Sequence, residues 1–102
     1  MRSMQFIKTT PNVELAENIV ETPAQTVTHL VIPAGKAVPK HHVPDDVVVV
    51  PIKGRVVFED VANGDSQTLV PGDIVKLAPN EWHALTAVTD TEVMVIKSQL
   101  AD

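Results

Sequence analysis

Residues Gly35 to Gly54 read GKAVPKHHVPDDVVVVPIKG, and this stretch decides the fold. Its centre, Val47 to Ile52, is a short apolar run rich in β-branched residues and closed by glycine, the pattern of a buried strand rather than a helix. Two adjacent histidines stand just before it, between Pro39 and Pro44. Outward in both directions the pattern repeats, with short Val-, Ile- and Thr-rich pieces cut by eight Pro and four Gly and no long stretch of helical period. The reading is all-β. Candidate strands are Met4 to Lys8, Thr26 to Ile32, Val47 to Ile52, Arg55 to Val61, Gln67 to Val70, Asp73 to Leu77, His83 to Val88 and Glu92 to Lys97. Val13 to Glu21 is the one segment that could hold a helical turn. Asn63-Gly64 supplies the positive φ values of a tight hairpin, and Pro71-Gly72 fits a type II turn. Short strands at this spacing make a sandwich or barrel.

The composition narrows the chemistry. At 102 residues the expectation is one domain over 1–102, with its core at about 26–97 and an N-terminal strand extension over 1–25. With no Cys, thiolate metal sites, disulfides and thiol nucleophiles are excluded, so any metal must sit on His, Asp or Glu. The net charge of -5 and scattered basic residues argue against nucleic-acid binding, and two Phe and one Trp leave little for base stacking. No apolar run approaches the roughly 18 residues of a membrane span, and the start lacks a signal-peptide core. A cytoplasmic protein without nucleic-acid or membrane partners is expected.

Imidazole is the commonest protein ligand for divalent transition metals, and three of the four histidines fall in two turn-bounded segments, Gly35 to Gly54 and GDIVKLAPNEWHALTA, Gly72 to Ala87. Together these segments resemble the paired motifs of the cupin superfamily, small β-barrels of the germin and mannose isomerase type. In the first motif, G-x5-H-x-H-x3-E-x6-G, Gly35, His41 and Gly54 fall in register. In the second, G-x5-P-x-G-x2-H-x3-N, Gly72, Asp73 and His83 do. The register that fits His41 puts Val43 at the second histidine and Val47 at the glutamate. A one-residue shift to His42 brings Asp46 to the acid position with seven residues rather than six before Gly54. Pro79 lies one position late, Asn80 replaces a glycine, and Ala87 stands at the final asparagine. His41, Pro44 and Asp46 also match a small cupin subgroup with H-x-x-P-x-D before an apolar strand.

The resemblance implies an RmlC-like antiparallel barrel, or double-sheet jelly roll, with His41 and His83 near the mouth of a Val-, Leu- and Ile-lined pocket, and a homodimer. A metal centre is expected on His41, His42 and His83, holding Zn, Ni, Mn or Fe, provided irregular backbone lets the adjacent His41 and His42 face one ion. Asp45, Asp46 or Glu81 could instead complete a two-His, one-carboxylate triad, Asp46 being the best placed. His29 reads as a hydrogen-bonded structural histidine. Trp82 should face away from His83 and serve packing or an interface. Two functions follow: a metal-dependent oxygenase or isomerase acting on a small organic substrate, or a non-catalytic small-ligand-binding or sensing module with a degenerate metal site.

Overall fold

A computed structural model describes residues 4–12 and 15–99. Nine strands run in chain order: β1 (Ala16–Glu21), β2 (Gln25–Ile32), β3 (Ala37–His41), β4 (Asp46–Lys53), β5 (Val56–Asp60), β6 (Asp65–Leu69), β7 (Val75–Leu77), β8 (His83–Ala87) and β9 (Thr91–Ser98). They form a five-stranded sheet ordered β1-β2-β9-β4-β7 and a four-stranded sheet ordered β3-β8-β5-β6. Every strand pair is antiparallel. No helix occurs among the described residues, so none there is long and apolar enough to cross a membrane.

The two sheets close on a core of Ile32, Val47, Val49, Val56, Phe58, Leu69, Leu77, Leu85, Ala87 and Val93. Alternation along each strand sends one set of side chains into this layer and the other outward. On β4 the inward set is Val47 and Val49, leaving Asp46, Val48 and Val50 on the outer face. The return from β4 to β5 turns at Gly54, whose φ is +83°, and an added Cβ would fall 2.2 Å from the Asp90 carbonyl oxygen. Backbone conformation and close approach both require glycine there.

Most of the expected strands are present, and the differences have physical causes. Met4 to Lys8 forms no strand. The region read as a possible helical turn becomes β1, whose edge pairing with β2 overrides local preference. Val13 and Glu14 of that reading lie outside the described residues, as do residues 1–3 and 100–102 of the proposed domain. The Asn63-Gly64 hairpin lies where expected but is a four-residue loop, Val61 to Gly64, with positive φ at Gly64 alone of the pair. Asp60 stabilises it by accepting hydrogen bonds from the Asn63 backbone N–H and Nδ2. At Pro71-Gly72 the Asp73 N–H donates to the Val70 carbonyl at 3.0 Å and Gly72 has φ +105°, the geometry of a type II turn.

Candidate functional site

The site begins with a fault in a strand. β3 pairs β8 with Val38 opposite Leu85 and His41 opposite His83, so three steps on β3 match two on β8. The extra residue is a bulge at Pro39-Lys40, and proline suits it because its missing N–H removes no ladder bond that the bulge had not already broken. The consequence is a change of phase. Val38 faces the interior, and regular alternation would send His41 outward. The bulge restores His41 to the inner face, directly across from His83.

The pair is held in place from several sides. The two ring centroids lie 4.1 Å apart at an interplanar angle of 56°. The Phe58 ring stacks on His83 at 5.5 Å, within 5° of parallel. The Nδ1 of His41 lies 2.8 Å from the Pro39 carbonyl oxygen, and the Nδ1 of His83 lies 2.9 Å from that of Glu81. A carbonyl only accepts, so each Nδ1 carries the hydrogen and donates it, which makes Nε2 of the neutral ring an acceptor. Burial holds the pKa of His83 below its ordinary value of 6.5. The Glu81 carbonyl opposes that shift, His41 and His42 reinforce it, and the Glu81 charge opposes it again.

His83 is 5 % exposed, and its Nε2 has no hydrogen-bond partner among the described residues. The ring borders two cavities. These two cavities, or lobes, have His83 as their one common wall residue. The smaller, about 130 Å³, is lined by Val38, Val43, Val47, Leu85 and Val95 with both His41 and His83. The larger, about 380 Å³, opens between the edge strands β6 and β7 and is lined by Phe58, Leu69, Leu77, three carboxylates and His83. His83 borders both.

The other candidates are placed elsewhere. His42 is exposed and its ring packs on Trp82, with centroids 4.3 Å apart. The bulge that turns His41 inward leaves its neighbour on the outside, and no group of three or more His, Asp or Glu among the described residues could hold a metal ion. The three-histidine centre is therefore not assembled in this arrangement. Asp46 alternates to the outer face, away from the pair. Asp45 accepts a hydrogen bond from Gln99 Nε2. The Glu81 carboxylate accepts the Ala78 N–H and stands at the rim of the larger lobe. Trp82 lines that lobe too, because it lies in the loop before β8, where strand alternation does not apply. His29 is fully buried, its Nδ1 3.1 Å from Glu17 Oε2 and its Nε2 2.8 Å from Glu92 Oε1. Asp60 and Asp65, which line the larger lobe, were not marked by any spacing; only the pairing of β5 with β6 brings them together.

No protein-family model and no curated protein matches this chain. Solved structures do. It is similar to an RmlC-like cupin with a double-stranded beta-helix fold from Methanocaldococcus jannaschii, at 24 % identity over 96 % of this chain and 90 % of that one, with a TM-score of 0.75. The chain has the cupin fold. A Cupin 2 conserved barrel domain protein from Salinispora arenicola gives a TM-score of 0.79 at 17 % identity, covering 96 % of this chain and 91 % of that one. A cupin superfamily protein from Desulfitobacterium hafniense gives 0.77 at 16 %, covering 90 % and 83 %. Set against the cupin motif, the structure shows what replaces the missing ligands. Val43 and Val47 are wall residues of the smaller lobe, Val47 only 2 % exposed. Two imidazoles and an apolar wall do not make the donor set of a resident divalent ion, which needs three or more protein ligands.

Proposed function

We propose that this cupin binds a small organic molecule in the space between its sheets, without a resident metal, and that His83, braced by His41 and Phe58, orients the ligand through Nε2. The observation that carries this reading is the state of His83. Its Nδ1 is occupied and its ring is clamped, while its second nitrogen has no partner among the described residues and the ring borders both the mostly apolar smaller lobe and the acid-rimmed larger one. Ligand pockets commonly take this form, an apolar wall with few fixed polar groups. The larger lobe, at about 380 Å³, falls within the usual range for small-molecule sites.

A second reading keeps the metal. The fixing of each Nδ1–H on a carbonyl is also the orientation that metal-ligating histidines adopt. An ion on His41 and His83, joined by His42 after it leaves Trp82, would supply Lewis-acid or oxygen-binding chemistry of oxygenase or isomerase type. Metal analysis of protein purified without chelator separates the two. The first reading predicts well under one ion per chain and a melting temperature raised by a small organic ligand. Stoichiometric Zn, Ni, Mn or Fe, lost in His41→Ala, supports the second and contradicts the first.

Self-association belongs to this proposal as well. Val48, Val50, Met94 and Ile96 form a half-buried apolar stripe on the outer face of the five-stranded sheet. Light scattering at twice the 11.0 kDa chain mass supports a homodimer, and a monomer at micromolar concentration contradicts it.

A further inference from the structure

The polar lining of the larger lobe is one-sided. Asp60, Asp65 and Glu81 border it, and none has a Lys, Arg or His within ion-pair distance among the described residues, whose ion pairs all involve Glu17 or Glu92. Lys76 is the one basic side chain on the wall besides His83. Each carboxylate is oriented by a local hydrogen bond: Asp60 from Asn63, Asp65 from the Ser66 N–H and Glu81 from the Ala78 N–H. The three do not form a group that could hold a metal ion among the described residues; they line one wall of a cavity of about 380 Å³. At the inner end the wall includes His83, which is 5 % exposed and whose Nε2 has no hydrogen-bond partner among the described residues. Phe58, Leu69 and Leu77 supply apolar surface between these ends.

Resting on the ligand-binding reading above, we propose that the larger lobe selects an organic cation, a protonated amine on an apolar body. The ammonium lies toward Asp65 and Glu81, the body packs on Phe58 and Leu77, and any N–H or O–H at its inner end donates to His83. Carboxylate ligands of the same shape are disfavoured twice over, by the rim charge and by an inner acceptor that offers them no hydrogen. A neutral alcohol satisfies His83 but gains nothing from the rim.

The chain's single tryptophan, Trp82, borders this lobe and reports its occupancy. Phenethylamine, 2-phenylethanol and phenylacetate are titrated into the 102-residue chain at pH 7 while Trp82 emission is followed, at low and at high salt. The amine should bind about tenfold tighter than the alcohol, a difference that equals about 1.4 kcal/mol. The carboxylate should bind weakest, and the preference should shrink with added salt. Asp65→Asn should weaken the amine about two- to fivefold, the range for an exposed charge pair, and leave the alcohol unchanged. Glu81→Gln should do the same, and the double variant should lose both contributions. Melting curves of the variants confirm that they fold. If alcohol or carboxylate binds as tightly as the amine, or if folded carboxamide variants keep full amine affinity, the cation preference is overturned while ligand binding stands. If none of the three probes saturates Trp82 emission, the cation proposal falls, and the thermal-shift search with other ligands decides the broader reading separately.

Discussion

Two buried imidazoles in this protein have opposite fates. His29, on the outer face of the five-stranded sheet, has a carboxylate oxygen at each ring nitrogen, so its hydrogen-bonding capacity is spent inside the fold. His83, on the inner face of the other sheet, has one nitrogen fixed by a backbone carbonyl and the other without a partner among the described residues, on a ring that borders two cavities. Both rings are almost inaccessible. Burial alone does not distinguish a structural histidine from a functional one; the unspent nitrogen does.

The largest expected effect lies on the structural side. His29→Ala leaves the Glu17 and Glu92 carboxylates facing each other without the ring between them, and Glu92 is only 8 % exposed. Removing one member of such a buried network should cost about 3 kcal/mol, read from the urea midpoint. Ligand affinity per folded molecule should stay constant. A loss below about 0.5 kcal/mol would place His29 among ordinary surface positions.

His83→Asn should reverse that profile, costing about 1 kcal/mol of stability while abolishing the ligand-dependent rise in melting temperature. The pH dependence sharpens the contrast. Because the folded state disfavours protonated His83, the unfolded chain takes up this proton first as pH falls. Its contribution to stability is full above pH 6.5, declines below it, and levels off once the folded ring protonates at its lowered pKa. Stability measured from pH 8 to pH 5 should therefore fall less steeply in His83→Asn than in the parent. An identical slope would contradict the assignment. At the small end, Asp46→Asn should change stability and ligand affinity by less than about 0.5 kcal/mol, since this carboxylate faces away from the cavity. A large loss of affinity would restore it as a site residue.

Much of this is legible in the amino-acid sequence. The Val47–Ile52 run and the Pro-Gly turn carry the all-β reading, because burial and backbone sign leave direct marks on residue type, whereas the meeting of His41 with His83 is implied only by the resemblance of the Gly35, His41, Gly54, Gly72 and His83 spacing to the cupin motifs. Strand β3 is absent from the expected strands because Pro39 and Lys40, exposed in the bulge, look like loop. The bulge also decided between His41 and His42, a choice of phase that no count of residues in one strand contains without its partner. The acidic wall of the larger lobe was invisible for a related reason. Glu81 stands out in the sequence only as a possible metal carboxylate beside His83, and Asp60 and Asp65 do not stand out at all until β5, β6 and the loop before β8 are brought together.

The most direct test is long-range proton–nitrogen NMR of the imidazoles in protein purified without chelator, at pH 8. The account predicts that His41 and His83 both carry their hydrogen on Nδ1, that their Nε2 resonances are those of bare acceptors, and that adding a binding ligand shifts the Nε2 of His83. Nε2 resonances already shifted by a bound ion, or hydrogens found on Nε2, would contradict it.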